Sequence, residues 1–261
     1  MTSSPIYQIF VIASNTFREA IRDRILYNLV LFVLLITACA ILLGELTDGQ
    51  EARTIVNLGL AAILLFGVFI SIFVGVGLVS KEIEKRTVFA LFAKPVHRSV
   101  FIIGKYFGLC LTLLVNILIM GVGVSLALLY VGNSALAVNI WPAIFLIYLE
   151  LAIVTAVAIL FSSFSSPSLS ALLAFLVFVI GNLSASLRDL GNVMGSAAAK
   201  FLLEAIYYLL PNLSIYSFRT EAANGLLPNL AMIGGGTVYA FVYVFILLAI
   251  AIVIFSRRNF K

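Results

Sequence analysis

KEIEKRTVFALFAKPVHRSVFIIGK, residues Lys81 to Lys105, is the stretch on which the reading of this chain turns. It holds six of the sixteen Lys and Arg residues, and long apolar stretches lie on both sides of it. Lys and Arg concentrate in the cytoplasmic loops of membrane proteins. The segment therefore reads as a charged cytoplasmic hinge between two membrane helices.

The remainder of the chain supports that reading. Of 261 residues, 63% are hydrophobic and only 10% charged, whereas soluble domains carry charge on about a quarter of their residues. Mean hydropathy is strongly positive. The chain has 21 Phe and 10 Tyr but only two Cys and one His, which suits lipid-facing helices better than a metal or redox centre. Cys39 and Cys110 both sit inside apolar runs, so no disulfide is expected. The net charge of +5 is read as a report on topology, with no nucleic-acid partner expected.

A spanning helix needs about 20 apolar residues. Six candidates lie at about 25–43, 56–80, 100–131, 140–161, 169–187 and 235–255, giving an all-α integral membrane fold in one domain over 1–261. Orientation follows from the cations. With the N-terminus inside, the cytoplasm receives Arg18, Arg22, Arg24, the six of Lys81–Lys105, Arg257, Arg258 and Lys261. Only Arg53, Arg188, Lys200 and Arg219 fall outside, so both termini are expected in the cytoplasm and the protein in the cell (inner) membrane.

Residues 5–24 are expected to form an amphipathic interfacial helix. Ser4 is a suitable cap and Pro5 fits the first turn. Ile6, Ile9, Phe10, Ala13, Phe17, Ala20 and Ile21 recur at helical spacing, with Arg18, Glu19, Arg22 and Asp23 on the other side, although Val11 and Ile12 blur the stripe. Ile36-Thr37-Ala38-Cys39 has the look of a lipoprotein cleavage box. The apolar run around it is longer than a signal's h-region, so cleavage is not expected. Outside, Ala197–Leu210 reads as a short surface helix ended by Pro211, with Leu202, Leu203, Ile206 and Leu210 on one face. Gly234-Gly235-Gly236 reads as a flexible lead into the last span.

Familiar catalytic patterns do not occur. The sequence has no G-x-x-x-x-G-K-[ST] phosphate loop, no H-E-x-x-H, no Cys-x-x-Cys and no nucleophile elbow. No enzyme activity, catalytic residue, cofactor or metal is expected in this chain. The lone His97 lies in the cytoplasmic loop. Glu150 is the single carboxylate within the six spans. At that depth a charge costs about 2.5–3.5 kcal/mol on insertion scales. It should therefore face the protein interior, pair or be protonated, with Tyr148, Thr155, Asn116 and Asn182 as candidate company. It reads either as a substrate-path residue or as an interhelical hydrogen bond.

Three features carry a family resemblance: Glu82-Ile83-Glu84-Lys85-Arg86-Thr87, then Lys94-Pro95-Val96-His97-Arg98, then Gly104-Lys105 leading into a helix. With the N-terminal Phe17-Arg18-Glu19-Ala20-Ile21-Arg22-Asp23-Arg24 and the six-span layout, the chain resembles permease subunits of ABC transporters of the ABC-2, or exporter, type. Within that family it looks closest to the branch associated with multicopper-enzyme maturation and nitrous-oxide reductase assembly. Many members have Gly before the Thr, where this chain has Arg86. The resemblance implies a second permease copy, in a homodimer or a related pair, and two cytoplasmic ABC ATPase subunits that hold ATP and Mg. A periplasmic partner is also compatible with it. Residues 81–99 would carry the coupling helix, with Glu82, Glu84, Lys85, Arg86, Thr87, Phe89, Phe92, Pro95 and Arg98 at the ATPase, and Phe17, Arg18 and Arg22 in the interfacial helix. Two rival functions stay open. One is an ion-coupled secondary transporter with Glu150 as proton carrier, the other a non-transporting membrane scaffold.

Overall fold

The structure is a computed structural model that describes residues 4–22, 31, 34–42, 50–77, 97–193 and 197–257. Its elements, in chain order, are α1 (Pro5–Ile21), α2 (Glu51–Gly77), α3 (Arg98–Tyr130), α4 (Ser134–Asn139), α5 (Trp141–Ser162), α6 (Pro167–Asn182), α7 (Ser184–Val193), α8 (Ala197–Leu209), a 3₁₀ turn (Leu213–Tyr216), α9 (Arg219–Ala223) and α10 (Leu230–Arg257). Residues 34–42 are also helical. The described residues form no strand. The expected all-α membrane architecture is what the chain folds into.

Among the described residues, four helical stretches are long and apolar enough to cross a membrane: Glu51–Gly77, Arg98–Tyr130, Ser134–Ser162 and Leu230–Arg257. Of the first expected span, 25–43, residues 25–30, 32, 33 and 43 lie outside the described residues. The fifth, 169–187, is divided. Helix α6 has 16 residues, about 24 Å at 1.5 Å per residue, against a hydrocarbon core of about 30 Å. At its last residue Asn182 turns its amide back onto the Phe178 carbonyl at 3.2 Å. Side-chain bonds of this kind compete with helix propagation. A separate helix, α7, follows.

The core lies around α5. Its sequence is apolar on every side, as expected of a helix surrounded by others, and Leu146, Leu151, Ile153, Ala156 and Ala158 are fully buried. Helix α10 is the opposite case. It turns Gly236, Ala240, Leu247, Ala251 and Phe255 inward and leaves Val238, Phe241, Val242, Phe245 and Ile250 exposed. With no hydrophobic drive between helices in lipid, close approach through small residues takes over. Gly59 faces Val124, and Gly121 faces Ile144 and Trp141.

Helix ends follow local chemistry. Gly132 takes φ +84°, a left-handed conformation that closes α3. Its N–H bonds the Leu129 carbonyl, and the Asn133 N–H bonds Leu128. The Asn133 side chain then accepts from the Leu136 N–H to cap α4. Helix α2 contains a π-helical turn at Ile70–Val74, where Ser71 Oγ donates to the Gly67 carbonyl at 2.8 Å.

Gly234-Gly235-Gly236 is not a flexible lead. All three residues lie inside α10. A Cβ on Gly234 or Gly235 would meet open space, while the Tyr216 ring packs on Gly236. The missing side chain there makes room for a tyrosine.

Candidate functional site

Two constellations stand out, one at each end of the bundle. The first surrounds the start of α3. The chain reaches it through His97 in an extended conformation. Arg98, the first helical residue, extends its guanidinium to the end of α10, donating from Nη1 to the carbonyls of Phe255 at 3.1 Å and Ser256 at 2.7 Å. These oxygens lie in the last described turn of α10, toward its C-terminal end, where the helix dipole favours a cation. One turn on, Phe101 stacks on Phe255 with ring centroids 5.9 Å apart.

The next two turns of α3 seat α1. The Gly104 Cα faces Ile12 and the Ile9 carbonyl, and Gly108 faces Thr16 and the Ala13 carbonyl. Two glycines four apart let the backbones approach, as in small-xxx-small membrane packing. The approach buries the Thr16 hydroxyl without a hydrogen-bond partner. Between the glycines, Lys105 is 3% exposed. Its ammonium lies 3.8 Å from Glu19 Oε2 and 5.8 Å from the centre of the Phe101 ring. Ser4 caps α1 as expected, accepting from the Tyr7 N–H at 3.4 Å. The apolar stripe of α1 serves two surfaces. Thr16 and Ala20 are buried, while Ile6 and Phe10 remain exposed. Ile12, which blurs the stripe in sequence, is a docking residue. Phe17 is half-buried, and Arg18 and Arg22 are exposed.

Of the residues expected at an ATPase contact, Glu82, Glu84, Lys85, Arg86, Thr87, Phe89, Phe92 and Pro95 lie outside the described residues. Arg98 is described, and it is engaged with α10. The Gly104-Lys105 pair stands in the second turn of α3, not at its opening.

The second constellation is the buried acid and the cap above it. Glu150 is 1% exposed, and its Oε1 accepts from Asn182 Nδ2 at 2.8 Å. Asn182 alone of the four expected companions bonds it. Tyr148 donates to the Cys110 carbonyl, Thr155 to Leu151 and Asn116 to Thr112. Because α6 ends at this depth, the chain from Pro211 to Tyr216 drops in to close the bundle. The Pro211 carbonyl and Leu213 lie against Gly181, and Leu213 and Tyr216 are buried. Tyr216 Oη donates to the Gly236 carbonyl at 2.7 Å. Tyr239 Oη accepts from the Asn212 N–H at 2.8 Å, and Tyr243 Oη donates to the Leu209 carbonyl at 3.0 Å. Ser184 Oγ donates to Asn212 Oδ1 at 2.5 Å. Tyr216 and Arg219 are within electrostatic reach of the Glu150 carboxylate.

Sequence reasoning missed the tyrosine fastenings. Their one signal is the i, i+4 spacing of Tyr239 and Tyr243, whose rings lie 5.5 Å apart on α10. An interfacial aromatic belt would give the same spacing.

This is a multi-pass, all-α membrane protein, with one helix laid against the start of its longest span and a folded cap at the other end. The chain belongs to the ABC-2 family of transporter proteins, whose family model matches residues 10–260. It is therefore a membrane permease of an ABC transporter, in a family that works with an ABC ATPase. No curated protein matches the chain.

Proposed function

We propose that this chain couples ATP hydrolysis on a separate ATPase subunit to export, or to force transmission, across the inner membrane. Two permease copies and two ATPase copies make up the transporter, with ATP and Mg held by the ATPase. Both permease termini are cytoplasmic, and residues 81–99 form the ATPase contact. The observation that carries this is where the densest charge in the sequence leads. Residues 81–97 run directly into α3, the longest helix, which packs on α1, α2, α5 and α10. A chain whose sequence lacks a phosphate loop needs such a contact to receive mechanical work. Val88, Phe89, Leu91 and Phe92 supply apolar area for it, and the flanking charges supply register. Assembly of an exported metalloenzyme remains the cargo class that the resemblance suggests, with a periplasmic partner meeting the cap.

The test is affinity purification of the tagged chain from its native membrane. A P-loop ATPase should copurify, and Phe89→Ala or Phe92→Ala should weaken its recovery while insertion stays normal. Truncating a central interface anchor costs about 2 kcal/mol or more, roughly thirtyfold in affinity. Full recovery with both variants would reduce the loop to a topological anchor.

A further inference from the structure

We propose that the exposed face of α8 is a surface through which two copies of this chain meet in the outer half of the membrane. The inference rests on the two-copy reading above and adds where the copies touch.

The depth of α8 comes from three fastenings. The Leu209 carbonyl is held by Tyr243, the Asn212 N–H by Tyr239, and the Tyr216 hydroxyl by the Gly236 carbonyl, so the chain climbs α10 from Leu209 to Tyr216. Tyr243 lies midway along the 28-residue α10. Leu209, the last residue of α8, therefore stands near the middle of a helix long enough to cross the bilayer. Glu204 is about 7.5 Å from Leu209 along α8, at 1.5 Å per residue. Whatever the tilt of α8, that is less than half of a hydrocarbon core of about 30 Å. The α7–α8 hairpin is pinned at its base, where Ser184 Oγ donates to Asn212 Oδ1.

The chemistry of the face says what covers it. Phe201, Tyr208 and Leu209 are 72%, 78% and 77% exposed. Glu204 and Ala205 are exposed between them, at helical spacing on the same side. Lys200 pairs with Glu204 at 4.0 Å, and both side chains are half-exposed. Acyl chains disfavour charge at this depth, and water disfavours so large an apolar stripe. A protein surface with an apolar centre and paired charges suits both. Opposite charges one turn apart also make the face complementary to itself. A two-fold axis can set the Lys200 of each copy against the Glu204 of the other. Lys200 lies up to about 13 Å from Leu209 along α8, so it takes the outer rim, which stays open to water.

The experiment cross-links the full chain in its native membrane. In a background with Cys39 and Cys110 replaced, Ala205→Cys should give a covalent homodimer with a short bismaleimide. Lys200→Glu and Glu204→Lys should each cut the cross-linked fraction several-fold, because each sets like charges together across the axis. The double exchange, Lys200→Glu with Glu204→Lys, should restore it. If the cysteine-replaced chain does not fold, a photo-cross-linking benzoylphenylalanine at Tyr208 in the otherwise unsubstituted chain is the second arm, with the adduct identified by mass. A homodimer adduct is expected. An adduct with lipid or with a different protein overturns the proposal. So does a yield that ignores the single reversals, or one that the double exchange fails to restore. A chain that is dimeric by native mass yet gives no cross-link at position 205 overturns the proposal and leaves the two-copy reading standing. A chain that is monomeric by native mass sinks the two-copy reading, and this contact falls with it.

Discussion

At the scale of the residue, Glu150 shows how far composition reaches. A lone acid inside an apolar span has to be buried and partnered, and the sequence places four polar groups near enough to be candidates. It does not say which one. The choice depends on how α6 lies against α5, where Asn182, the last residue of α6, bonds both Phe178 and Glu150. Gln at position 150 keeps the acceptor for Asn182 and removes a charge from the interior. Glu150→Gln should therefore be at least as stable as the parent in a thermal unfolding assay in detergent. Glu150→Leu removes the acceptor and should cost about 1–2 kcal/mol, the range for an interhelical bond in a bilayer. ATP-driven activity should survive in Glu150→Gln. If the fold and ATPase assembly stay intact while that activity is abolished, Glu150 is a proton carrier and the structural role fails. Arg98 teaches a different lesson. Its position beside Pro95 suggests a docking charge, and nothing local reveals that the end of the chain returns to it from more than 150 positions away.

At the scale of the element, periodicity was most informative where one face of a helix has one neighbour. For α1 the stripe, the Ser4 cap and Pro5 all locate the helix correctly. The same pattern misleads about its surroundings, because the helix has two apolar contacts, and Ile12 belongs to the one the stripe does not cover. The glycines at 104 and 108 are the missing half of that information. Gly108→Val should unseat α1, since even a Cβ there would come within 2.6 Å of Thr16 Cβ and 2.7 Å of the Ala13 carbonyl. Overpacking of a tight contact costs about 1–3 kcal/mol. Limited proteolysis should then cut α1 faster while leaving α3 to α10 intact, and Gly104 and Lys105 should no longer protect it. Unchanged protection would mean that α1 is held by lipid and not by α3. The Gly234–Gly236 run fails for a related reason. Three glycines read as a hinge in water, but within a membrane a helix satisfies its own backbone, and only the partner tyrosine reveals why Gly236 is small.

At the scale of the whole molecule, hydropathy and charge suffice for the class of fold, and four of the expected stretches coincide to within a few residues with long apolar helices. Both signals fail for the cap, because α6 is too short to span alone and the Pro211–Tyr216 segment that completes it carries no helical period. The orientation rests on charge, and the structure sharpens its test by showing which residues share an end. Arg98 and the end of α10 that carries Arg257 lie together, and Arg18 stands beside Glu19 on α1, which pairs with Lys105 of α3, while Lys200 lies on α8, beyond the end of α6. Positive-inside bias predicts that the first group faces the cytoplasm. In a background with Cys39 and Cys110 replaced, single cysteines at the exposed positions Arg18 and Lys200 should separate cleanly. An impermeant maleimide added to intact cells should label position 200 and leave position 18 unlabelled until the membrane is permeabilised. Removing Arg18 leaves eleven cations on the cytoplasmic side against four outside, so the substitution should not itself invert the chain. Labelling of position 18 in intact cells would place the 81–97 segment outside. Residues at that site would then have no access to a cytoplasmic ATPase, and the coupling reading would be lost along with the topology.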